Sequence, residues 1–288
     1  MKTLRILIVG FLLVTAIPAF PASLWSFSTG QLLSGSEESR VISLDPFSFR
    51  EVAYPRRMVT LAGAAYDIST NNLYLSGATS DPSTYTAMEI AIYNGNPDAY
   101  SFVSSSDVGL VDEYNWLGGL EYANGSLYSI AGKGSFEGPL ALIKIENPGT
   151  PSQSVVQIGP DLYTDGASFA LCKNGTGGLY AITYHGSTSP ESMRLLDIDY
   201  STGEKTLLQE YSLDPLGDRI SGLALVDNSL IGCTELGGIV EINRDNFQIT
   251  EIGNVKAQCM AMVAIPEPSS ILLCSLGASL IFFYRKRR

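Results

Sequence analysis

The fold class predicted by the sequence is all-β and radially repeated, and three observations predict it. First, a strand-like unit ending in a polar turn recurs as Val41-Ile42-Ser43-Leu44-Asp45, Ile90-Ala91-Ile92-Tyr93-Asn94, Leu142-Ile143-Lys144-Ile145-Glu146, Leu196-Asp197-Ile198-Asp199 and Val240-Glu241-Ile242-Asn243. The repeats fall roughly 44 to 53 residues apart, close to the spacing of four-stranded propeller blades at roughly 40 to 50 residues. Second, a small, apolar inner run precedes most of these units: Gly63-Ala64-Ala65, Gly119-Leu120-Glu121, Ala167-Ser168-Phe169 and Gly222-Leu223-Ala224. Third, residues 23–265 contain no convincing ten-residue amphipathic helix.

The elements follow in order. Lys2 and Arg5 form a basic n-region, Ile6 to Ile17 are almost wholly apolar, and small residues follow at Ala19, Ala22 and Ser23. This is the pattern of a secretory signal peptide over residues 1–22. In the exported part, 23–265, each repeated unit is followed by a second extended run: Phe49 to Tyr54, Ala99 to Val103, Ser154 to Ile158, Lys205 to Tyr211 and Gln248 to Ile252. These pairs are the outer hairpins. The inner hairpins carry Asn124-Gly125 and Asn174-Gly175, dipeptides that tolerate the positive φ of a tight turn. Inner runs are small because strands crowd around an axis, and outer ones alternate with polar residues because they face water. Cys259 to Ala264 look like an inner strand with no blade after it, whereas the N-terminal hairpin lacks an inner strand before it. The expected fold is therefore a β-propeller of five blades, the N- and C-terminal strands sharing one blade and leaving no sheet edge open. A pair of β-sandwiches is the rival architecture.

The last segment, 266–288, has three parts: Pro266-Glu267-Pro268, an uncharged run from Ser269 to Tyr284, and Arg285-Lys286-Arg287-Arg288. The prolines disfavour helix and leave an extended strip. The apolar run, as helix, spans about 24 Å, enough for a short transmembrane anchor with snorkelling basic ends. The terminal cations keep the chain's end in the cytoplasm and place the rest across the inner membrane. This tail resembles the PEP-CTERM sorting signal of Gram-negative bacteria. The resemblance implies an exosortase as partner, cutting near Pro266, Glu267 and Pro268, and display at the cell surface or in the extracellular matrix, with exopolysaccharide and biofilm formation as the setting. The exported region resembles the β-propeller domains such proteins carry, best at Leu44-Asp45-Pro46 and Ile198-Asp199-Tyr200-Ser201-Thr202-Gly203.

Composition narrows the function classes. The formal net charge is −11, and removing the basic ends leaves the exported part more acidic still. That argues against nucleic acid as a partner. Four cysteines, one of them in the tail, rule out a disulfide scaffold; Cys172, Cys233 and Cys259 read as buried hydrophobes, with a Cys233–Cys259 bridge as the alternative. The one histidine, His185, and the lack of Cys-x-x-Cys or His-Glu-x-x-His give no metal, cofactor or catalytic residue. Asp197 to Glu204 offers oxygen ligands, but its spacing departs from a calcium loop. Asp107, Asp112, Glu113, Asp161 and Asp165 are loop acids of the kind a glycosidase pairs. Tyr114, Trp116, Tyr163 and Tyr184 are aromatic candidates for carbohydrate binding, because sugars stack on ring faces. The expectation is an exported, non-enzymatic surface protein; the alternative is a propeller lyase or glycoside hydrolase acting on extracellular polysaccharide.

Overall fold

The computed structural model describes residues 22–28, 40–43, 58–79, 88–94, 101–108, 114–133, 138–164, 166–185, 192–212, 218–226, 228–255 and 259–266. Leu24–Ala264 forms one compact unit; Met1–Ser23 with Ile265–Arg288 forms another. Residues 1–21 of the expected signal peptide, Glu267, Pro268 and Arg285 to Arg288 lie outside the described residues, while Ala22 and Pro266 each occupy the end of a strand. Among the described residues no helix is long and apolar enough to cross a membrane.

The strands run β1 (Ala22–Ser28), β2 (Arg40–Ser43), β3 (Met58–Asp67), β4 (Asn72–Thr79), β5 (Met88–Asn94), β6 (Ser101–Asp107), β7 (Tyr114–Ala123), β8 (Ser126–Lys133), β9 (Leu140–Glu146) and β10 (Ser154–Gln157). Then come β11 (Ala167–Lys173), β12 (Gly178–Tyr184), β13 (Ser192–Asp199), β14 (Lys205–Ser212), β15 (Ile220–Val226), β16 (Ser229–Thr234), β17 (Gly238–Ile242), β18 (Ile249–Asn254) and β19 (Ala261–Pro266). They form four four-stranded antiparallel blades, β3–β6, β7–β10, β11–β14 and β15–β18, each a simple meander. The architecture is all-β and propeller-like.

The blade count differs from the five expected. Four complete blades are described, and the remaining sheet has three strands in the order β19-β1-β2. Phe49 to Tyr54, the run expected to pair outside β2, lies outside the described residues. The pairing of the two termini is anchored by the amide of Met260, which donates to the Phe27 carbonyl at 2.8 Å.

Packing runs along the seams between neighbouring sheets. Ile90, Ile92 and Tyr74 of the first blade meet Leu117, Leu127, Ile143 and Ile145 of the second. Ile130, Leu140 and Leu142 meet Leu179, Leu196 and Ile198 at the next seam, and Ile182 and Leu195 meet Leu230 and Val240 at the third. Cys233 and Ile239 of the fourth blade pack on Cys259 and Met262. Each fully buried aliphatic contributes about 1.5–3 kcal/mol, so these seams are the main source of stability. Cys172, Cys233 and Cys259 are buried and form no disulfide with one another, so the Cys233–Cys259 bridge is not made.

At the axis the inner strands nearly touch. Gly63, Gly119, Leu171, Gly222 and Met262, from β3, β7, β11, β15 and β19, line a void of only about 10 Å³. A Cβ on Gly119 would stand 2.7 Å from the Leu171 amide nitrogen. This contact is why the inner runs must be small: among the described residues the axis is filled by closely packed backbone. Function is thereby pushed to the two faces, the near face where inner strands begin and the far face where they end.

Candidate functional site on the far face

The far face carries a cleft of about 540 Å³ lined by residues of three blades. Its walls are the inner-hairpin turns: Tyr66 to Ser69 after β3, Tyr122 to Gly125 at the end of β7, and Lys173 to Gly178 after β11, with Tyr200 from the β13–β14 turn. All are the ends of repeats, so the radial fold brings together residues more than a hundred positions apart in the chain.

Each turn is locked by its own side chains. Asp67 Oδ1 accepts from the Ser69 amide at 2.9 Å and the Ser69 hydroxyl at 2.7 Å, while Oδ2 accepts from Thr70 Oγ1 at 2.6 Å. Burial opposes ionisation of Asp67, but these hydrogen bonds and one from Tyr122 outweigh it and hold the carboxyl below its usual range. In the second turn Asn124 and Gly125 both take positive φ, 50° and 78°, as a primed hairpin turn requires. In the third, Asn174 Oδ1 accepts from the amides of Thr176 at 2.8 Å and Gly178 at 2.9 Å, and Asn174 Nδ2 donates to Asp197 at 2.7 Å.

Side chains then tie blade to blade. Tyr122 hydrogen-bonds Asp67 of the neighbouring blade and stacks on Tyr74 with centroids 5.5 Å apart and planes 6° from parallel. Burial, and then the Asp67 charge, push the Tyr122 phenol up to about 12. Glu121 faces the third blade, where Lys173 Nζ lies 3.3 Å away and the Lys173 amide donates to Glu121 Oε2 at 3.3 Å. Burial raises the Glu121 carboxyl, and Lys173 opposes the rise. Asn124 Nδ2 donates to the Tyr200 hydroxyl at 2.7 Å, and Tyr200 leans on Tyr128 with centroids 5.4 Å apart. The cleft therefore presents tyrosine rings, hydroxyls and a rigid turn backbone. Ile68, at 60 % exposure, adds an apolar lip.

The aromatic candidates named from sequence lie on other parts of the molecule. Tyr114 opens β7, and Trp116, Gly132, Leu140 and Tyr163 occupy one cross-strand row of the second blade. Trp116 packs over Gly132 so closely that a Cβ there would meet its indole nitrogen. Tyr163 lies against two cations of the third blade, Arg194 and Lys205. Tyr184 is 3 % exposed; its hydroxyl accepts from the Ile220 amide at 2.5 Å and reaches the Ile220 carbonyl at 3.2 Å, clamping the third blade to the fourth. None of the four lines the far-face cleft. Tyr114, Trp116 and Tyr184 share the near-face strand ends, but Tyr184 is consumed by packing.

Among the acids, Asp107 ends β6, and Asp161 is paired with Lys133 at 2.8 Å; Asp112, Glu113 and Asp165 lie outside the described residues. His185 follows β12 at the near face, its amide donating to the Ser192 carbonyl at 2.9 Å. Asp199 accepts from the amides of Ser201 and Thr202 at 2.7 and 3.1 Å, which is a turn and not a calcium loop. Among the described residues no group of three His, Cys, Asp or Glu side chains is placed to hold a metal. The residues missed from sequence are Tyr66, Asp67, Glu121, Tyr122, Lys173 and Tyr200. Their signal was positional: Asp67, Glu121, Tyr122 and Lys173 all lie within three residues of an inner strand's end.

No family model and no curated protein sequence matches the chain. Solved structures match by fold. TolB from Acinetobacter baumannii is 10 % identical, with 90 % of this chain and 71 % of that one covered, at a TM-score of 0.51. Apo AztD from Citrobacter koseri is 18 % identical over 86 % of this chain at a TM-score of 0.35, and the match spans only 61 % of AztD. A puromycin-hydrolyzing peptidase from Mycobacterium tuberculosis is 14 % identical over 78 % of this chain and 34 % of that one, at 0.42. The likeness to TolB shows the fold alone.

Proposed function

We propose that the chain is an exported, non-enzymatic binding protein, and that the far-face cleft is where its propeller meets an extracellular saccharide. The observation carrying this reading is the construction of the cleft: three tyrosines, Tyr66, Tyr122 and Tyr200, line a concave surface of about 540 Å³, within the size range of small-ligand sites. Sugars present apolar ring faces to aromatics and hydroxyls to polar rims. Binding is favoured over catalysis because the ionisable groups are already spent. Asp67 is tied to its own turn and Glu121 to Lys173 and two backbone amides, so among the described residues these carboxylates are engaged rather than poised as the acid–base pair a hydrolase or lyase requires.

The finer architecture belongs to the same proposal. The sheet β19-β1-β2 is read as a fifth blade shared by the two termini, supported by the five inner strands that line the axial void. The destination follows from the ends of the sequence: a signal peptide over residues 1–22 and a PEP-CTERM-like tail for an exosortase, supported by Pro266-Glu267-Pro268 and the Arg285-Lys286-Arg287-Arg288 cluster.

Two measurements test the proposal. Binding of the purified protein to a panel of bacterial oligosaccharides is expected, with Tyr200→Ala weakening it by about tenfold or more, the size of a lost aromatic contact of about 1–3 kcal/mol. Absence of binding across the panel, or a Tyr200→Ala variant that binds unchanged, refutes the saccharide reading. For sorting, mass spectrometry of the mature chain is expected to find the basic end removed; a mature chain still ending at Arg288 refutes processing.

A further inference from the structure

A second, smaller constellation sits at the outer seam between the second and third blades. Tyr163, bridged through its backbone to Leu140, turns its ring toward β13 and β14. Lys205 Nζ lies 3.4 Å from the ring centroid and Arg194 Cζ lies 4.6 Å from it. Both distances are well inside the range of a cation–π contact. One ring thus gathers two cations, in a protein whose net charge is −11.

The charge balance here is unusual. Arg194 Nε donates to Glu210 Oε1 at 3.2 Å, and the Ser192 hydroxyl donates to the same oxygen at 2.8 Å. Asp161 is engaged by Lys133 at 2.8 Å and by Gln157 at 3.0 Å. Glu210 therefore offsets one cation, and the set Tyr163, Arg194, Lys205 and Glu210 carries one net positive charge. Arg194 is held in place, its side chain only 16 % exposed and fixed by Glu210 and the ring. Lys205 is exposed and its ammonium reaches water. Burial and the neighbouring guanidinium both lower the Lys205 ammonium, the behaviour of a cation short of an anionic partner.

We infer that Tyr163, Arg194 and Lys205 form an oxyanion-binding site, which takes a sulfate, phosphate or carboxylate group either free in solution or carried on an extracellular polymer. The ring holds the two cations in a fixed spread, the guanidinium offers a planar pair of donors, and the ammonium adds a point charge. The site is separate from the far-face cleft and shares no lining residue with it.

The test is a titration of the purified protein with sodium sulfate against sodium chloride at matched ionic strength, followed by amide chemical shifts. Saturable sulfate-specific shifts are expected at residues 163, 194 and 205. Lys205→Gln, an exposed change that leaves the fold intact, is expected to weaken sulfate binding about fivefold, the upper size of an exposed charge pair. Glu210→Gln removes the competing carboxylate and is expected to tighten it, a direction that a purely structural role for the Arg194–Glu210 pair does not produce. Parallel titrations with neutral dextran, dextran sulfate and a polyuronate identify the source: binding only to free sulfate assigns a solution anion, and tighter, Lys205-dependent binding to a charged polymer assigns a polymer-borne one. No sulfate-specific shift in the native protein, or equal affinity in Lys205→Gln, overturns the inference. Either result leaves the Tyr200→Ala test of the far-face cleft untouched.

Discussion

Gly119→Ala places two loads on the inner ring at once. The φ of Gly119 is +66°, a left-handed conformation that costs an L-residue roughly 1–2 kcal/mol. The added Cβ would also stand 2.7 Å from the Leu171 nitrogen, 2.8 Å from Leu171 Cβ and 2.9 Å from the Ala170 carbonyl carbon. Backbone cannot swing aside as a side chain can, so an overpacking cost of roughly 1–3 kcal/mol applies in addition. A total near 3–4 kcal/mol lowers the melting temperature by roughly 6–15 °C for a domain of this size. Two companion variants separate the loads. Gly125 has φ of +78° with nothing within 4 Å of its added Cβ, so Gly125→Ala carries the conformational cost alone, about 1 kcal/mol. Gly222 has no positive φ, but its Cβ would lie 2.5 Å from the Met262 nitrogen and 2.7 Å from the Ala261 carbonyl carbon, so Gly222→Ala carries the packing cost alone. Scanning calorimetry and urea unfolding give the three values. If Gly119→Ala costs no more than Gly125→Ala, the backbone-plugged axis is wrong; if Gly222→Ala is neutral, β15 does not abut β19.

Three further outcomes are expected. Tyr184→Phe leaves the buried Ile220 amide without its acceptor, costing about 1–3 kcal/mol in urea unfolding and speeding hydrogen exchange at Ile220. At high pH, Tyr122 and Tyr211 hold their protons up to about 12, mainly because of burial, and Tyr184 is raised further, while unfolded tyrosines ionise near 10. The stability they contribute is complete below pH about 10 and is lost as pH rises through about 12, so the urea midpoint falls over that window, less steeply in Tyr122→Phe. At low pH the sign reverses for Asp67: its carboxyl is held below the usual range, its stabilisation is present above that range and is lost as pH falls through its folded value, and Asp67→Asn is expected to flatten this acid-side loss.

How much of this was legible in the sequence depends on whether one repeat or several were needed. The inner strands were legible because the axis allows only small residues: Gly63-Ala64-Ala65, Gly119, Gly222 and Ala261 all lie where neighbouring backbones approach. Asn124-Gly125 was legible because its turn is local and its positive φ demands those residue types. The outer hairpins of the four complete blades were found, but short by two or four residues at the start of β5, β9, β13 and β17. The far-face cleft was not legible as a site. Asp67, Glu121 and Lys173 belong to three different blades, and their convergence depends on the rotation between blades, which no single stretch of sequence encodes. For Trp116, Tyr163 and Tyr184 the sequence does not say which contacts the ring makes. An aromatic beside a loop reads as a ligand platform, and at a blade seam the same ring can also fill the wedge between twisted sheets, as Tyr184 does.

The first and last strands, β1 and β19, carry a constraint that neither shows alone. The Met260 amide bonds to the Phe27 carbonyl, so the start of β19 lies beside the end of β1, and the two strands run antiparallel. Their other ends, Pro266 and Ala22, therefore face each other across one sheet. Proline has no amide proton and can close a strand without leaving a donor unpaired, which suits Pro266 to the last position of β19. Proteolysis upstream of Pro266 would take hydrogen bonds from the sheet that joins the termini and strip Met262 from its packing on Cys233 and Ile239. The Pro-Glu-Pro motif thus begins at the last residue of β19.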